Sequence, residues 1–153
     1  MTQSSTSPAP TIHASAVLIG ARAVLILGSS GSGKSSLALA LLQANVALPF
    51  ARLVADDRAH VEAVHHRLLV RPAAALAGLI EVRGLGIRQL PYEPVAVVGL
   101  VVELGVQDPA RLPEPASLEA KIEGITLPRL PVAAGADPLS ILLAHLQIHP
   151  VRA

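Results

Sequence analysis

Short aliphatic runs alternate with glycine-, proline- and histidine-containing breaks along most of the chain, and this pattern predicts more strands than helices. Residues 16–19 and 24–27 are two such runs separated by Gly20-Ala21-Arg22, so we predict two strands joined by a tight turn. Residues 34–44 are rich in Leu and Ala and contain no breaker, which predicts a mostly buried helix.

Later aliphatic runs predict the remaining strands. Their ranges are 52–55, 60–64, 68–70, 80–87 as an extended segment, and 95–104. Residues 60–64 and 68–70 are predicted to form a hairpin, and Gly99 within residues 95–104 marks a bulge or bend. Many strands with few helices indicate a strongly twisted mixed sheet rather than regular βαβ units.

The C-terminal third is predicted to contain a proline-rich loop followed by a helix. Residues 109–131 are rich in proline and predict a loop in which residues 121–125 form an edge strand. Asp137 and Pro138 then supply a cap and a first-turn proline for a final helix. Its apolar face is formed by Leu139, Leu142, Leu143 and Leu146. We therefore predict an α/β fold with a twisted mixed β-sheet, a helix after residue 33 and a C-terminal amphipathic helix.

Composition narrows the class of protein. The 153 residues suit one domain with a core of Ala, Val, Leu and Ile, because Phe50 and Tyr92 are the chain's aromatic residues. Lys and Arg total 12 and Asp and Glu total 11, so a net charge of +1 favours neither nucleic acid nor a membrane as partner. The chain contains no cysteine, which excludes disulfides and thiolate metal sites and suits a cytoplasmic protein.

The sequence predicts neither a membrane span nor a secretory signal. The longest uncharged aliphatic run, residues 95–102, is too short to cross a bilayer, so we predict no membrane span. Residues 1–10 lack a basic region, so they do not predict a secretory signal. We expect a flexible tail over residues 1–11, one domain over residues 12–149 and a second tail over residues 150–153.

The strongest chemical signal lies between the second predicted strand and the first helix. The segment from Gly28 to Ser35 matches G-x-x-x-x-G-K-[ST] at every fixed position. Glycines let successive backbone N–H groups face one concavity, Lys34 adds a mobile positive charge, and the Ser35 hydroxyl can ligate Mg²⁺. We predict a Mg-nucleotide or similar polyphosphate site formed by Gly28, Ser29, Ser30, Gly31, Ser32, Gly33, Lys34, Ser35 and Ser36. The alternative, a turn without a ligand, is disfavoured by the flanking strand and helix.

Charged residues after two predicted strands are candidates for chemistry. Of Asp56 and Asp57, one can hold a metal while the other orients or deprotonates a nucleophile; the alternative is a capped turn with two solvated carboxylates. Glu81 and Arg83 alternate along an extended segment and can serve a metal and phosphate oxygens, or form an exposed ion pair. Among six histidines we single out His13, just before the strand pair that leads into the loop. The histidines lack metal-ligand spacing.

Four motifs, in this order, resemble those of HPr kinase/phosphorylase. They are Ile12-His13-Ala14-Ser15, the loop from Gly28 to Ser35, Leu53-Val54-Ala55-Asp56-Asp57-Arg58 and Glu81-Val82-Arg83-Gly84-Leu85-Gly86-Ile87. The loop alone occurs in many families, whereas the last motif is far more discriminating. The resemblance covers roughly residues 12–146 and corresponds to the family's C-terminal catalytic domain. It implies a P-loop-containing, PEP-carboxykinase-like fold.

The resemblance implies phosphorylation of a serine on an HPr-like phosphocarrier protein by ATP or pyrophosphate, and the reverse phosphorolysis. Such a protein-serine kinase would act in the regulation of carbohydrate metabolism. Asp56 would accept the serine proton, and Asp57 would support it by hydrogen bonding. The Mg²⁺ would lie near Ser35, Glu81 and Asp57, and the loop would hold ATP. His13, Arg83 and Arg111 would contact phosphate or substrate.

Several departures from the family pattern keep other functions open. The N-terminal domain of longer members has no counterpart in the 153 residues, and Pro91-Tyr92-Glu93-Pro94 replaces an expected glycine-rich loop. Gly135-Ala136-Asp137 stands where Gly-Arg-Asn is expected. The alternatives are a nucleotide-sensing module that docks to a partner such as a sensor kinase, and a small-molecule phosphotransferase. A homo-oligomer is expected from the resemblance alone.

Overall fold

The structure is a computed structural model that describes residues 10–44, 47–48, 50–107 and 118–147. Within these ranges the chain forms ten strands, two α-helices and a 3₁₀ turn at Ala74–Leu76. The strands are β1 (Thr11–Ile19), β2 (Arg22–Leu27), β3 (Ala51–Ala55), β4 (Arg58–Val64), β5 (Arg67–Pro72), β6 (Leu79–Val82), β7 (Gly86–Gln89), β8 (Ala96–Val106), β9 (Glu119–Ile122) and β10 (Ile125–Ala133). The helices are α1 (Lys34–Gln43) and α2 (Pro138–Gln147). Most of the first predicted tail and all of the second lie outside the described residues.

Eight of these strands form one mixed sheet whose ladders close into a circuit. β1 is antiparallel to β2 and β4, β5 is antiparallel to β4 and β8, and β8 runs parallel to β2 and so closes the circuit. β3 pairs with β1, while β10 pairs with β8 and β9. β6 and β7 form a separate two-stranded ribbon. The predicted α/β fold with a mixed sheet is confirmed.

Both faces of this sheet are buried. Successive side chains of a strand point to opposite faces, so β1 and β2 contribute Val17, Val24 and Ile26 to the face that carries the helices. Ala14 and Leu25 point to the other face, where all five strands of the circuit contribute to a second apolar cluster. The buried apolar residues are Ala, Val, Leu and Ile, as the shortage of aromatic residues predicts.

The first helix follows the glycine-rich loop directly. α1 begins at Lys34 and ends at Gln43, which confirms the predicted helix to within one residue. Leu37, Ala38 and Leu41 bury one side of α1, so the prediction of a mostly buried helix was too broad. In the described parts of the chain, neither helix is long and apolar enough to span a membrane.

The second helix begins where the cap residue and proline predict it. The Asp137 carboxylate accepts hydrogen bonds from the Leu139 N–H at 3.2 Å and from the Ser140 hydroxyl at 2.5 Å. The bond from Ser140 lowers the pKa of the Asp137 carboxyl group, which keeps a negative charge at the helix N-terminus. Leu142 is fully buried, and the other predicted apolar positions pack against the same cluster: Leu139, Leu143 and Leu146.

Two local features of the sheet agree with the sequence pattern. The predicted hairpin is formed by β4 and β5, with His65 and His66 at the turn at φ values of 50° and 65°. The β2–β8 ladder shifts its register at Gly99, which confirms the predicted bulge. A Cβ atom on Gly99 would lie 2.8 Å from the Arg22 Cβ, so this close approach requires glycine.

Three segments differ from the prediction. β1 begins at Thr11 rather than at residue 16, and it therefore includes one residue assigned to the tail. Residues 80–87 are not one extended segment, because they turn back on themselves as the β6–β7 hairpin. Residues 121–125 span the turn at Glu123-Gly124, with φ values of 51° and 79°, instead of forming one edge strand.

β10 was missed because two prolines weaken its strand pattern. Pro128 lies in the half of β10 that pairs with β9, and Pro131 lies in the half that pairs with β8. Each half of β10 pairs with one neighbouring strand. The nitrogen of a proline, which has no N–H to donate, can therefore face the side of the strand that is not paired. Tertiary pairing therefore produces a strand where the local sequence favours a loop.

Leu142→Ala tests the docking of α2. The side chain is fully buried, so we expect the substitution to lower the free energy of unfolding by about 2–5 kcal/mol through lost burial and a residual cavity. Ile141→Ala is the matched control, because Ile141 is 37% exposed and its loss should cost less than half as much. Urea denaturation of both variants measures the difference, and equal losses would contradict the observed orientation of α2.

Candidate active site

A glycine-rich loop connects the C-terminal end of β2 to α1. Gly31 and Gly33 have φ values of 82° and 100°, in the left-handed region that favours glycine. A Cβ atom on Gly28 would lie 2.4 Å from the Ser32 Oγ and 3.2 Å from the Leu104 Cβ. The glycines of the motif thus occupy backbone conformations and close contacts that other residues would disturb.

The Lys34 side chain folds back over this loop. Its Nζ donates hydrogen bonds to the backbone carbonyl oxygens of Gly28 at 2.9 Å and Ser29 at 3.1 Å. Lys34 is 7% exposed, and it also lines the adjoining cavity. Its positive charge is therefore fixed at the mouth of the loop, beside the N-terminus of α1.

A cavity of about 490 Å³ lies between the loop and the β6–β7 hairpin. Its lining residues come from the loop and α1 on one side, and from the β3–β4 turn and the hairpin on the other. They are Ser30, Gly31, Gly33, Lys34, Ser35, Ser36, Asp57, Glu81, Val82, Arg83, Gly84 and Gly86. The structure thus brings together most of the residues that the sequence predicted for the site.

Asp56 is 6% exposed and does not line this cavity, but it lines a second cavity of about 110 Å³ together with Asp57 and Glu81. Its Oδ1 accepts hydrogen bonds from the hydroxyl groups of Ser15 and Ser35, each at 2.7 Å. Its Oδ2 accepts the backbone N–H of Glu81 at 3.2 Å. Because a buried carboxylate needs such partners, Asp56 connects β1, α1 and β6 around one charge.

Asp57 differs from its neighbour in exposure and in backbone conformation. It is exposed, lines the cavity and has a φ of 69°, an uncommon left-handed conformation for a residue other than glycine. Its N–H donates to the Ser15 hydroxyl at 3.3 Å, and its carbonyl oxygen accepts the Ala14 N–H at 3.1 Å. The tight turn from β3 to β4 therefore buries one aspartate and presents the other to the cavity.

The hairpin supplies the opposite wall. Glu81 belongs to β6, whereas Arg83 lies in the turn that the Leu85 N–H closes on the Val82 carbonyl oxygen at 2.9 Å. The expectation that Glu81 and Arg83 alternate along one extended strand is therefore wrong, because the chain turns between β6 and β7. Both residues still line the cavity.

Oxygen ligands for a cation are available at this cavity. Ser35, Glu81 and Asp57, the residues predicted for Mg²⁺, all line it and carry hydroxyl or carboxylate oxygens. Among the described residues, no group of three or more His, Cys, Asp or Glu side chains is clustered closely enough to hold a metal by itself. The residues fit a Mg²⁺ ion whose coordination is completed by phosphate oxygens and water.

Two predicted residues lie elsewhere. His13 is exposed on β1, pairs with Arg58 in the β1–β4 ladder and is not among the residues that line the cavity. Arg111 lies outside the described residues. Sequence reasoning also missed Ser15 as a site residue, although a serine inside an aliphatic strand is a polar signal that could have been noticed.

These features define a class of protein. A strand, a glycine-rich loop and a helix face an acidic turn across one cavity, as is typical of α/β proteins that bind nucleotide phosphates. A family model described as the HPr Serine kinase C-terminal domain matches residues 4–92. The chain belongs to this family.

Curated relatives and a solved structure support this membership. HPr kinase/phosphorylase of Geobacillus thermodenitrificans is 34% identical over 148 residues, which span 88% of this chain and 46% of the relative. HPr kinase/phosphorylase of Geobacter sulfurreducens is 33% identical over 155 residues, with 92% of this chain and 47% of the relative covered. The chain thus spans about half the length of these relatives.

The fold comparison covers nearly the whole chain. The structure titled Hpr(Ser) kinase/phosphatase from Coxiella burnetii superposes with a TM-score of 0.72 and 24% sequence identity. The match covers 91% of this chain and 88% of that one. The mixed α/β fold with its sheet and helices is therefore one that this solved structure shares.

The two adjacent aspartates should differ in their contribution to stability. We expect Asp56→Ala to lower the free energy of unfolding by about 1–3 kcal/mol, because it leaves the buried Ser15 hydroxyl and the partly buried Ser35 hydroxyl without their acceptor. Asp57→Ala removes an exposed side chain, so it should lower the free energy of unfolding by a clearly smaller amount. Urea denaturation provides the comparison, and a larger loss for Asp57→Ala would contradict the hydrogen bonding described for Asp56.

Proposed function

We propose that this chain is the catalytic domain of an ATP-dependent protein-serine kinase that acts on an HPr-like phosphocarrier protein. The observation that carries the proposal is the cavity in which Lys34 and the loop face Asp57 and Glu81. A phosphate donor and a proton acceptor are needed on opposite sides of such a reaction centre. Family membership and the names of the relatives support the choice of acceptor. We assign the catalytic domain to residues 12–149 and its architecture to the P-loop, PEP-carboxykinase-like class.

ATP would bind through the loop and the start of α1. Backbone N–H groups at the helix N-terminus favour anions, and the Lys34 ammonium group can leave the carbonyl oxygens of Gly28 and Ser29 for phosphate oxygens. Mg²⁺, when bound, would neutralise charge on the phosphates, held by Ser35 together with Glu81, which leaves the predicted third ligand, Asp57, free to act on the acceptor. Arg83, at the hairpin turn, carries a guanidinium group suited to the transferred phosphoryl oxygens.

Asp57 is the better candidate for the proton acceptor. The family resemblance implied this role for Asp56, but the Asp56 carboxylate is buried and already accepts three hydrogen bonds. Asp57 is exposed to the cavity, where a serine hydroxyl could reach it. In this proposal Asp57 accepts the serine proton, and Asp56 positions the Ser35 hydroxyl and the hairpin. The loose transition state of phosphoryl transfer makes an ordinary carboxylate adequate, because positioning contributes more than basicity.

The same groups would serve the reverse reaction. Inorganic phosphate would attack the phosphoserine, and Asp57 would return the proton to the serine oxygen. Pyrophosphate could replace ATP as donor, since the contacts proposed here are to phosphates. His13 remains a predicted phosphate or substrate contact, as does Arg111 outside the described residues.

Transfer of label from γ-labelled ATP to purified HPr, with Mg²⁺ present, tests the proposal. We expect label on a serine of HPr, and we expect Asp57→Asn to lower the rate by about 10²–10⁴-fold because the proton acceptor is lost. Asp56→Asn is the control that separates the two aspartates, and a greater loss there would return the role of base to Asp56.

Two other outcomes of this experiment favour the alternatives. ATP binding without label on HPr or on any metabolite would favour the nucleotide-sensing module, with a partner such as a sensor kinase. Label on a metabolite but not on HPr would favour a small-molecule phosphotransferase. Size measurement of the purified protein decides separately whether it is a homo-oligomer.

Lys34→Ala should weaken ATP binding by about 10–100-fold, because a charge-assisted contact to phosphate is lost. Lys121→Ala is the matched control, since Lys121 lies exposed on β9 and does not line the cavity. Equilibrium titration with a fluorescent ATP analogue measures both variants. Equal affinity of Lys34→Ala and the parent would argue against phosphate binding at this loop.

A further inference from the structure

Ser15 is a buried polar residue in the middle of an apolar strand. It lies on β1 between Ala14 and Ala16, and all three residues are 0% exposed. Its cross-strand neighbour in the β1–β2 ladder is Ile26, which is also fully buried. A hydroxyl group in such surroundings is costly unless it is fully hydrogen-bonded.

The Ser15 hydroxyl contacts both aspartates at once. Its Oγ donates to the Asp56 Oδ1 at 2.7 Å and accepts the Asp57 N–H at 3.3 Å. Because the single hydroxyl proton is directed at the carboxylate, an oxygen lone pair faces the Asp57 amide. A second contact from β1 reaches the same turn, since the Ala14 N–H donates to the Asp57 carbonyl oxygen at 3.1 Å.

We propose that Ser15 is a positioning residue that holds the backbone of Asp57 in its left-handed conformation, so that the Asp57 carboxylate faces the cavity. The proposal rests on the proposed kinase function for its catalytic consequence. The φ of 69° is uncommon for an aspartate and needs surrounding contacts to persist. The hydroxyl supplies such a contact at the amide, and the Asp56 carboxylate fixes the orientation of that hydroxyl.

This role predicts a selective effect on turnover. The hydrogen bonds of Lys34 go to Gly28 and Ser29, and Asp56 has two donors besides Ser15, the Ser35 hydroxyl and the Glu81 N–H. We therefore expect Ser15→Ala to lower kcat by about 10–100-fold, as a displaced catalytic group would. The affinity for ATP and the KM for HPr should change less than about threefold, because the proposal assigns Ser15 to the position of a catalytic group and not to substrate binding.

Three variants separate positioning from a general loss of structure. Ser15→Thr keeps a hydroxyl at the same position and should restore most of kcat. Ser140→Ala is a matched control, because it removes a serine hydroxyl that bonds Asp137 at the start of α2. In an Asp57→Asn background, Ser15→Ala should cause no further loss of residual activity, because the two changes act through one group. A full additional loss in that background would overturn the proposal.

Amide hydrogen exchange measured by NMR provides a readout that does not depend on activity. We expect the Asp57 amide to exchange at least about tenfold faster in Ser15→Ala than in the parent, because its acceptor is removed. The Ala134 amide is the internal reference, since it bonds the Val106 carbonyl oxygen at 3.2 Å and lies outside the turn that contains Asp57. Equal exchange of Asp57 in both proteins would overturn the proposal even if neither phosphorylates HPr. Absence of HPr phosphorylation by the parent would instead count against the proposed function.

Discussion

The buried carboxylate of Asp56 holds together the parts of the chain that form the candidate site. It accepts hydrogen bonds from Ser15 on β1, Ser35 on α1 and the Glu81 N–H on β6. A charge in this position is tolerated only because each oxygen has donors, and those donors come from three separate elements. The glycine-rich loop, the acidic turn and the hairpin are therefore kept in a common arrangement by one side chain.

The sheet provides the rigid support for that arrangement. β2 delivers the loop and β3 delivers the aspartates, and both strands pair with β1. β1 thus fixes the separation between the loop and the acidic turn, and it also contributes Ser15 between them. With apolar clusters on both faces of the sheet, small displacements of β1 would disturb close packing as well as the site.

The two aspartates illustrate how position within a turn separates chemically identical groups. Asp56 directly follows the buried end of β3 and is 6% exposed, whereas Asp57 adopts a left-handed conformation and lines the cavity. The order of residues alone cannot distinguish them, because both follow the same strand. The residues alone left the two roles undivided, the family resemblance implied Asp56 as the base, and the proposal places the base at Asp57.

The sequence by itself determined the loop, the two helices, most strands and the residues that surround the cavity. Those features depend on local propensity, on period and on a motif with fixed spacing, all of which are properties of short segments. Only the tertiary structure decided that residues 80–87 fold into a hairpin, that the proline-containing β10 pairs with β8, and that Ser15 joins the two aspartates. These features depend on strand pairing and hydrogen bonds between residues far apart along the chain, and the local sequence pattern does not show which distant residues will meet.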